Sequence, residues 1–161
     1  MMRKETRSNK TIGLCLPVVI CFCFAVNVVG QNKGFTNKTE AKNERKDSLK
    51  EGKWIEYVKE NGTITTDTGA PYYSLAVYKD GRASGIMRRY TKSGILFGEI
   101  SMDNGKKNGV TKWYYLNGTL KSEVPYTDDK KNGVAKVYDD KGKLGVEIPY
   151  DNGIEDGMEK S

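Results

Sequence analysis

The chain has 161 residues, of which 37% are apolar and 30% charged, the balance of a soluble chain with room for one domain and its appendages. It contains no histidine, which excludes a Ser-His-Asp triad, a Cys-His pair and any imidazole metal site. The net charge of +6 falls to +3 once a basic leader is set aside, with 23 basic and 20 acidic residues interspersed, so the clustered basic face of a nucleic-acid binder is missing.

In that leader, Arg3, Lys4, Arg7 and Lys10 precede an apolar run from Ile12 to Val29, which closes on Gly30 before Gln31. A basic segment, an apolar segment and a small residue at the cut form the layout of a secretory signal peptide, here 1–30. An uncleaved anchor is the alternative, since about 18 apolar residues begin to span a bilayer, although Pro17 and Asn27 interrupt the run. Cys15, Cys21 and Cys23 all lie inside it, and Leu14, Ile20 and Phe22 stand where a lipoprotein signal needs a small residue. The processed chain then has no disulfide and no thiol nucleophile. The expected location is exported (periplasmic, cell-surface or secreted), with membrane contact only through residues 1–30 if they are retained.

Residues 31–51, QNKGFTNKTEAKNERKDSLKE, carry dense charge of both signs and almost no apolar side chains. They read as a charged linker or a short frayed helix.

From Gly85 a pattern recurs every 24 residues, over 85–108, 109–132 and 133–156, with a partial copy at 157–161 and a degenerate one at 52–84. Such self-similarity marks a repeat array. Counting from each leading glycine, tyrosine falls five residues on (Tyr90, Tyr114, Tyr138), a second glycine nine on, leucine eleven on and glutamate fourteen on (Glu99, Glu123, Glu147). Short alternating segments between glycine turns predict two strands per repeat, hence an all-β, elongated antiparallel meander of consecutive hairpins. The degenerate copy is longer, with an extended loop around Thr66 to Tyr73. Pro125 and Pro149 cannot donate to a ladder and are expected at a bulge or where pairing ends.

If Asn117-Gly118 forms a two-residue turn, position three faces position fourteen. Arg88 then meets Glu99, Lys112 meets Glu123 and Lys136 meets Glu147. The same register places Thr111, Trp113, Leu120, Ser122, Val124 and Tyr126 on one mainly apolar face, with Ala135, Val137, Leu144, Val146, Ile148 and Tyr150 following in the next repeat. The other face carries the charged ladder and the three tyrosines. A three-residue loop would turn one strand over.

The pattern G-x-x-[KR]-x-Y-x-x-x-G-x-L-x-x-E resembles the bacterial variant of the MORN repeat, found in proteins often labelled antitoxin components of the YwqK type. The resemblance covers Gly52 to Gly157 and implies a sheet of consecutive hairpins with a role in binding.

Glu99, Glu123 and Glu147 are the only recurring carboxylates on the repeats with a catalytic flavour, and paired carboxylates run glycoside hydrolysis. Catalysis needs two of them in unlike environments, whereas repetition gives them like ones, so a structural ladder is expected and no enzyme. Asp103-Asn104-Gly105 and Asp151-Asn152-Gly153 lack the acidic spacing of a calcium loop and read as turns, leaving no metal and no cofactor. The candidate binding stripe is therefore Tyr90, Tyr114 and Tyr138 with Arg88, Lys112, Lys136, Glu99, Glu123 and Glu147. A protein partner is favoured, with a glycan of the cell envelope as the alternative.

Overall fold

The computed structural model describes residues 34–157; residues 1–33 and 158–161, with the expected signal segment, lie outside that range. A 3-10 turn (Lys38–Glu40) is followed by β1 (Glu44–Lys46), β2 (Leu49–Val58), β3 (Ile64–Thr65), β4 (Tyr72–Lys79), β5 (Arg82–Thr91), β6 (Leu96–Asp103), β7 (Lys106–Lys107), β8 (Gly109–Tyr114), β9 (Leu120–Thr127), β10 (Lys130–Lys131), β11 (Gly133–Tyr138), β12 (Leu144–Asp151) and β13 (Ile154–Glu155). All pair antiparallel in one elongated sheet, ordered β1-β2-β4-β5-β6-β8-β9-β11-β12-β13, with β3, β7 and β10 attached to β2, β6 and β9. The sheet is not closed into a barrel.

Two kinds of turn alternate along the meander and so collect on opposite edges. On one edge both central residues have positive φ, as at Asn104 (+49°) and Gly105 (+83°), the mirror-image turn whose twist matches that of the flanking strands. Asp128 (+48°) and Asp129 (+69°) make the same turn without glycine, which aspartate tolerates better than other side chains. Neighbouring turns interlock: Gly105 N–H donates to Ala83 O at 2.8 Å and Asp129 N–H to Lys107 O at 2.9 Å.

The other edge corrects the expected two-residue turn. Gly118 N–H donates to Tyr115 O and Tyr115 N–H to Thr119 O, both at 2.9 Å, so Leu116-Asn117-Gly118 is a three-residue loop. Alone that would turn the strand over. Between the Tyr114–Leu120 and Trp113–Ser122 pairs, however, Lys121 bulges out and cancels the slip, so Lys112 still faces Glu123. Phe97 and Gly145 occupy the same bulge in the neighbouring hairpins. The correction moves one column of residues: Leu96, Leu120 and Leu144 stand opposite Tyr90, Tyr114 and Tyr138, on the tyrosine face and not on the apolar one.

A second slip falls at the leading glycines. β9 pairs Thr127 with Lys130 but Glu123 with Lys136, so two extra residues bulge between β10 and β11 around Gly133, whose φ is +107°. Pro125 borders this bulge: its carbonyl accepts from Asn132 N–H at 3.0 Å, and a Cβ on Gly133 would come within 3.1 Å of its ring. In an antiparallel strand a residue's N and O point to the same side, so the donor that proline lacks faces the bulge and no ladder bond is lost. Gly133→Ala is therefore expected to cost about 1–3 kcal/mol of stability. Gly145→Ala, with ordinary φ and 3.6 Å of clearance, serves as control in urea titrations. Equal midpoints for the two variants would show that the bulge carries no strain.

The segment expected as a linker is structured where it is described. Phe35 is 5% exposed and forms a cluster with Tyr73, Leu75 and Tyr90, against which Leu96 and Ile55 pack. Lys42 and Asn43 donate N–H to Lys53 O at 3.0 and 3.2 Å. The Asn43 side chain accepts from Ile55 N–H at 2.8 Å and donates to Ile55 O at 3.1 Å, imitating a peptide group. The physical reason is the edge itself. β2 has unpaired backbone groups there, and a polar chain that satisfies them needs only one buried side chain to anchor it. The first long strand accordingly starts at Leu49, before Gly52.

Candidate interaction surface

The predicted stripe residues do come together, as a row crossing the strands. Glu99 lies opposite Arg88 on one side and Lys112 on the other, and Glu123 lies between Lys112 and Lys136. Lys136 also faces Glu147, so the row runs Arg88, Glu99, Lys112, Glu123, Lys136, Glu147. Ion pairs close it at 2.9 Å for Arg88–Glu99, 3.2 Å for Lys112–Glu123 and 3.6 Å for Lys136–Glu147. These pairs are part-exposed, and opposed charges on neighbouring strands contribute roughly 0.2–1 kcal/mol each.

The tyrosines divide. Tyr114 donates its hydroxyl to Glu99 at 2.9 Å and Tyr138 to Glu123 at 3.2 Å, so each tyrosine ties its strand to the glutamate of the preceding repeat. Desolvation first, and then that hydrogen bond, pushes the Tyr114 hydroxyl up to about 12 and raises Tyr138 in the same direction. Tyr90 is withdrawn. It is 8% exposed and stacked on Tyr73 at 5.1 Å, because Leu75 stands opposite Arg88, where later strands place glutamate. Of the stripe's aromatic rings, Tyr114 and Tyr138 are the half-buried pair left at the surface.

The opposite face holds residues that the repeat pattern does not announce. Lys107 lies 4.9 Å from the Tyr126 ring and Lys131 4.2 Å from the Tyr150 ring, a lysine capping a tyrosine once per repeat. Lys50 caps Tyr78 likewise and forms an ion pair with buried Glu56, which also accepts from the Tyr78 hydroxyl at 3.0 Å. At the opposite ends of the strands lies a cleft of about 360 Å³ whose lining includes Val58, Tyr72, Arg89, Phe97, Tyr114 and Leu116. Phe97 stands between Tyr72 (ring centroids 5.4 Å apart) and Trp113 (6.1 Å). The sequence signal for this site is departure from the pattern: Arg89 and Phe97 occupy positions held by Trp113 and Lys121 one repeat later.

Among the described residues no group of three or more His, Cys, Asp or Glu comes together to hold a metal, and no helix is long and apolar enough to cross a membrane. The family model described as MORN repeat variant matches residues 107–128 and 131–152, the stretch that contains Lys112, Tyr114, Glu123, Lys136, Tyr138 and Glu147. No curated protein matches the chain. The chain is a repeat-type β-sheet protein, an architecture consistent with a protein-interaction module.

Proposed function

We propose that this is an exported, non-catalytic array of MORN-like repeats whose ladder face docks a protein partner, an antitoxin-like binding component. One observation carries the reading: the charged row is neutralised within the sheet and offers repeated, pre-ordered contacts rather than a converging acid and base. Glu99 and Glu123 sit in like environments, each flanked by two cations and a tyrosine hydroxyl, so nothing separates an acid from a base. A surface whose side chains are already held in place loses little conformational entropy on association, and its half-buried tyrosine rings supply contact area.

The test starts with the full chain as bait in envelope extract and ends with the purified complex. Replacing both Tyr114 and Tyr138 by alanine is expected to weaken a stoichiometric complex by at least about tenfold, or 1.4 kcal/mol, while thermal melts show the variant folded. Unchanged affinity would remove the ladder face from the interface. Envelope glycan is the second reading, carried by the same two rings. Glycan retention lost in the double variant, with no protein captured, would select it.

A further inference from the structure

We propose that the cleft beside Arg89 receives the C-terminal carboxylate of a polypeptide whose last residue is apolar or aromatic. The inference deepens the protein-partner reading and rests on it. Arg89 (β5), Gly98 (β6) and Trp113 (β8) are cross-strand neighbours in one row. A Cβ on Gly98 would lie 2.7 Å from the Trp113 ring and 3.5 Å from Arg89 Cβ, so the absence of a side chain there lets both neighbours close over the backbone. The Arg89 guanidinium rests 5.9 Å from the centre of the Trp113 ring.

What Arg89 lacks is an acid. Its Nε is buried without a hydrogen-bond partner, and among the described residues no carboxylate forms an ion pair with it. The adjacent Arg88 differs, bonding Glu99 at 2.9 Å and Phe35 O at 3.3 Å. A half-buried cation balanced only by an aromatic face favours an anion delivered to it, and a single guanidinium matches a single carboxylate. Val58, Phe97 and the tyrosine rings give the lining an apolar and aromatic part, beside the hydroxyls of Ser74 and Thr91; Leu116 is 66% exposed, and Lys59 and Glu60 bring opposite charges. Cation and apolar side chains line the same cleft, whose volume is at the low end for ligand sites. A chain end brings a carboxylate and an apolar side chain on one residue, which a passing strand does not.

The experiment titrates the full chain with acetyl-Gly-Gly-Leu-Phe and with its C-terminal amide, following tryptophan fluorescence. The acid is expected to bind at least about tenfold tighter than the amide, the loss of one charge-assisted contact, and Arg89→Met is expected to abolish that difference. Equal binding of acid and amide, or no binding at millimolar peptide, would overturn the proposal. So would 3-phenylpropionate binding as tightly as the peptide, which would assign the cleft to a small apolar acid. Should Arg89→Met fail to fold, the comparison of acid with amide on the unaltered chain still decides. Tyr138→Ala, at a residue outside the cleft lining, leaves peptide binding unchanged, so a failed peptide titration beside a partner complex sensitive to Tyr138 sinks the cleft alone.

Discussion

Leu75→Ala is expected to lower the stability of the sheet by about 2–5 kcal/mol, the range for emptying a fully buried leucine site. Leu75 is 0% exposed and is enclosed by Phe35, Tyr73 and Tyr90, with Ile55 opposite it on β2 and Arg88 opposite it on β5. It occupies the row that becomes charged from Arg88 onward, so this is where the ladder face acquires a core. The site collapses poorly, because Tyr73 and Tyr90 are stacked ring on ring and the Phe35 segment is tethered by backbone bonds to β2. Urea titrations at constant slope measure the loss. Leu116→Ala and Ile64→Ala, at residues 66% and 62% exposed, are expected within about 0.5 kcal/mol of the unaltered chain. A Leu75→Ala midpoint as mild as theirs would mean that Phe35 does not cover the sheet.

Alkaline solution is expected to unfold the protein from about pH 10 upward, where unfolded tyrosine loses its proton. Burial first, and contact with Glu56 second, raises Tyr78; burial raises Tyr73 and also Tyr90, the latter against the pull of Arg88; Tyr114 and Tyr138 are raised by desolvation and by their glutamates. Each folded value lies above the unfolded one. Between the two the native state holds more protons than the unfolded state, so the stabilisation is full below the unfolded value and is lost as pH climbs through the folded one. For Tyr114 that window runs from about 10 to about 12. Tyrosinate absorbance should therefore appear late and together with loss of the β-sheet dichroism. Glu99→Gln and Glu123→Gln together should lower the folded values of Tyr114 and Tyr138, so that their tyrosinate absorbance appears at lower pH, ahead of the loss of dichroism. A smooth titration near pH 10 with the dichroism intact would show that the hydroxyls are not held as described.

Much of the fold was legible in the residues because the sheet's pairing is written by charge and by turn chemistry. The Lys112–Glu123 and Lys136–Glu147 partners follow from charge and spacing because the bulges at Lys121 and Gly145 cancel the extra loop residue, and Asn104-Gly105 announces its turn. The loop at Asn117-Gly118 did not announce its size. The same dipeptide serves as a whole two-residue turn or as the last two residues of a three-residue one, and the compensating bulge at Lys121 leaves no mark in composition. Phe35 was hidden for another reason: a single aromatic in a charged stretch vanishes in any average, while its burial depends on β4 and β5, tens of residues away. Of the stripe, the charged row was legible; the withdrawal of Tyr90 was not, since it turns on Leu75 in the degenerate copy. The Arg89 cleft arises where repeats differ, so a reading built on their likeness passes over it.

Segregating the two kinds of turn to opposite edges makes the sheet a ruler. Each repeat adds two strands, so equivalent groups such as Tyr114 and Tyr138 advance by roughly 9–10 Å, twice the ordinary interstrand distance. A ligand bearing two matching groups at that pitch is held by both at once, the second contact forming at a high effective concentration. Inserting one more copy of residues 109–132 would then raise the valence by one unit while leaving the Phe35 cap and the final hairpin as they are, so the number of repeats, independently of their chemistry, sets how strongly a periodic partner is retained.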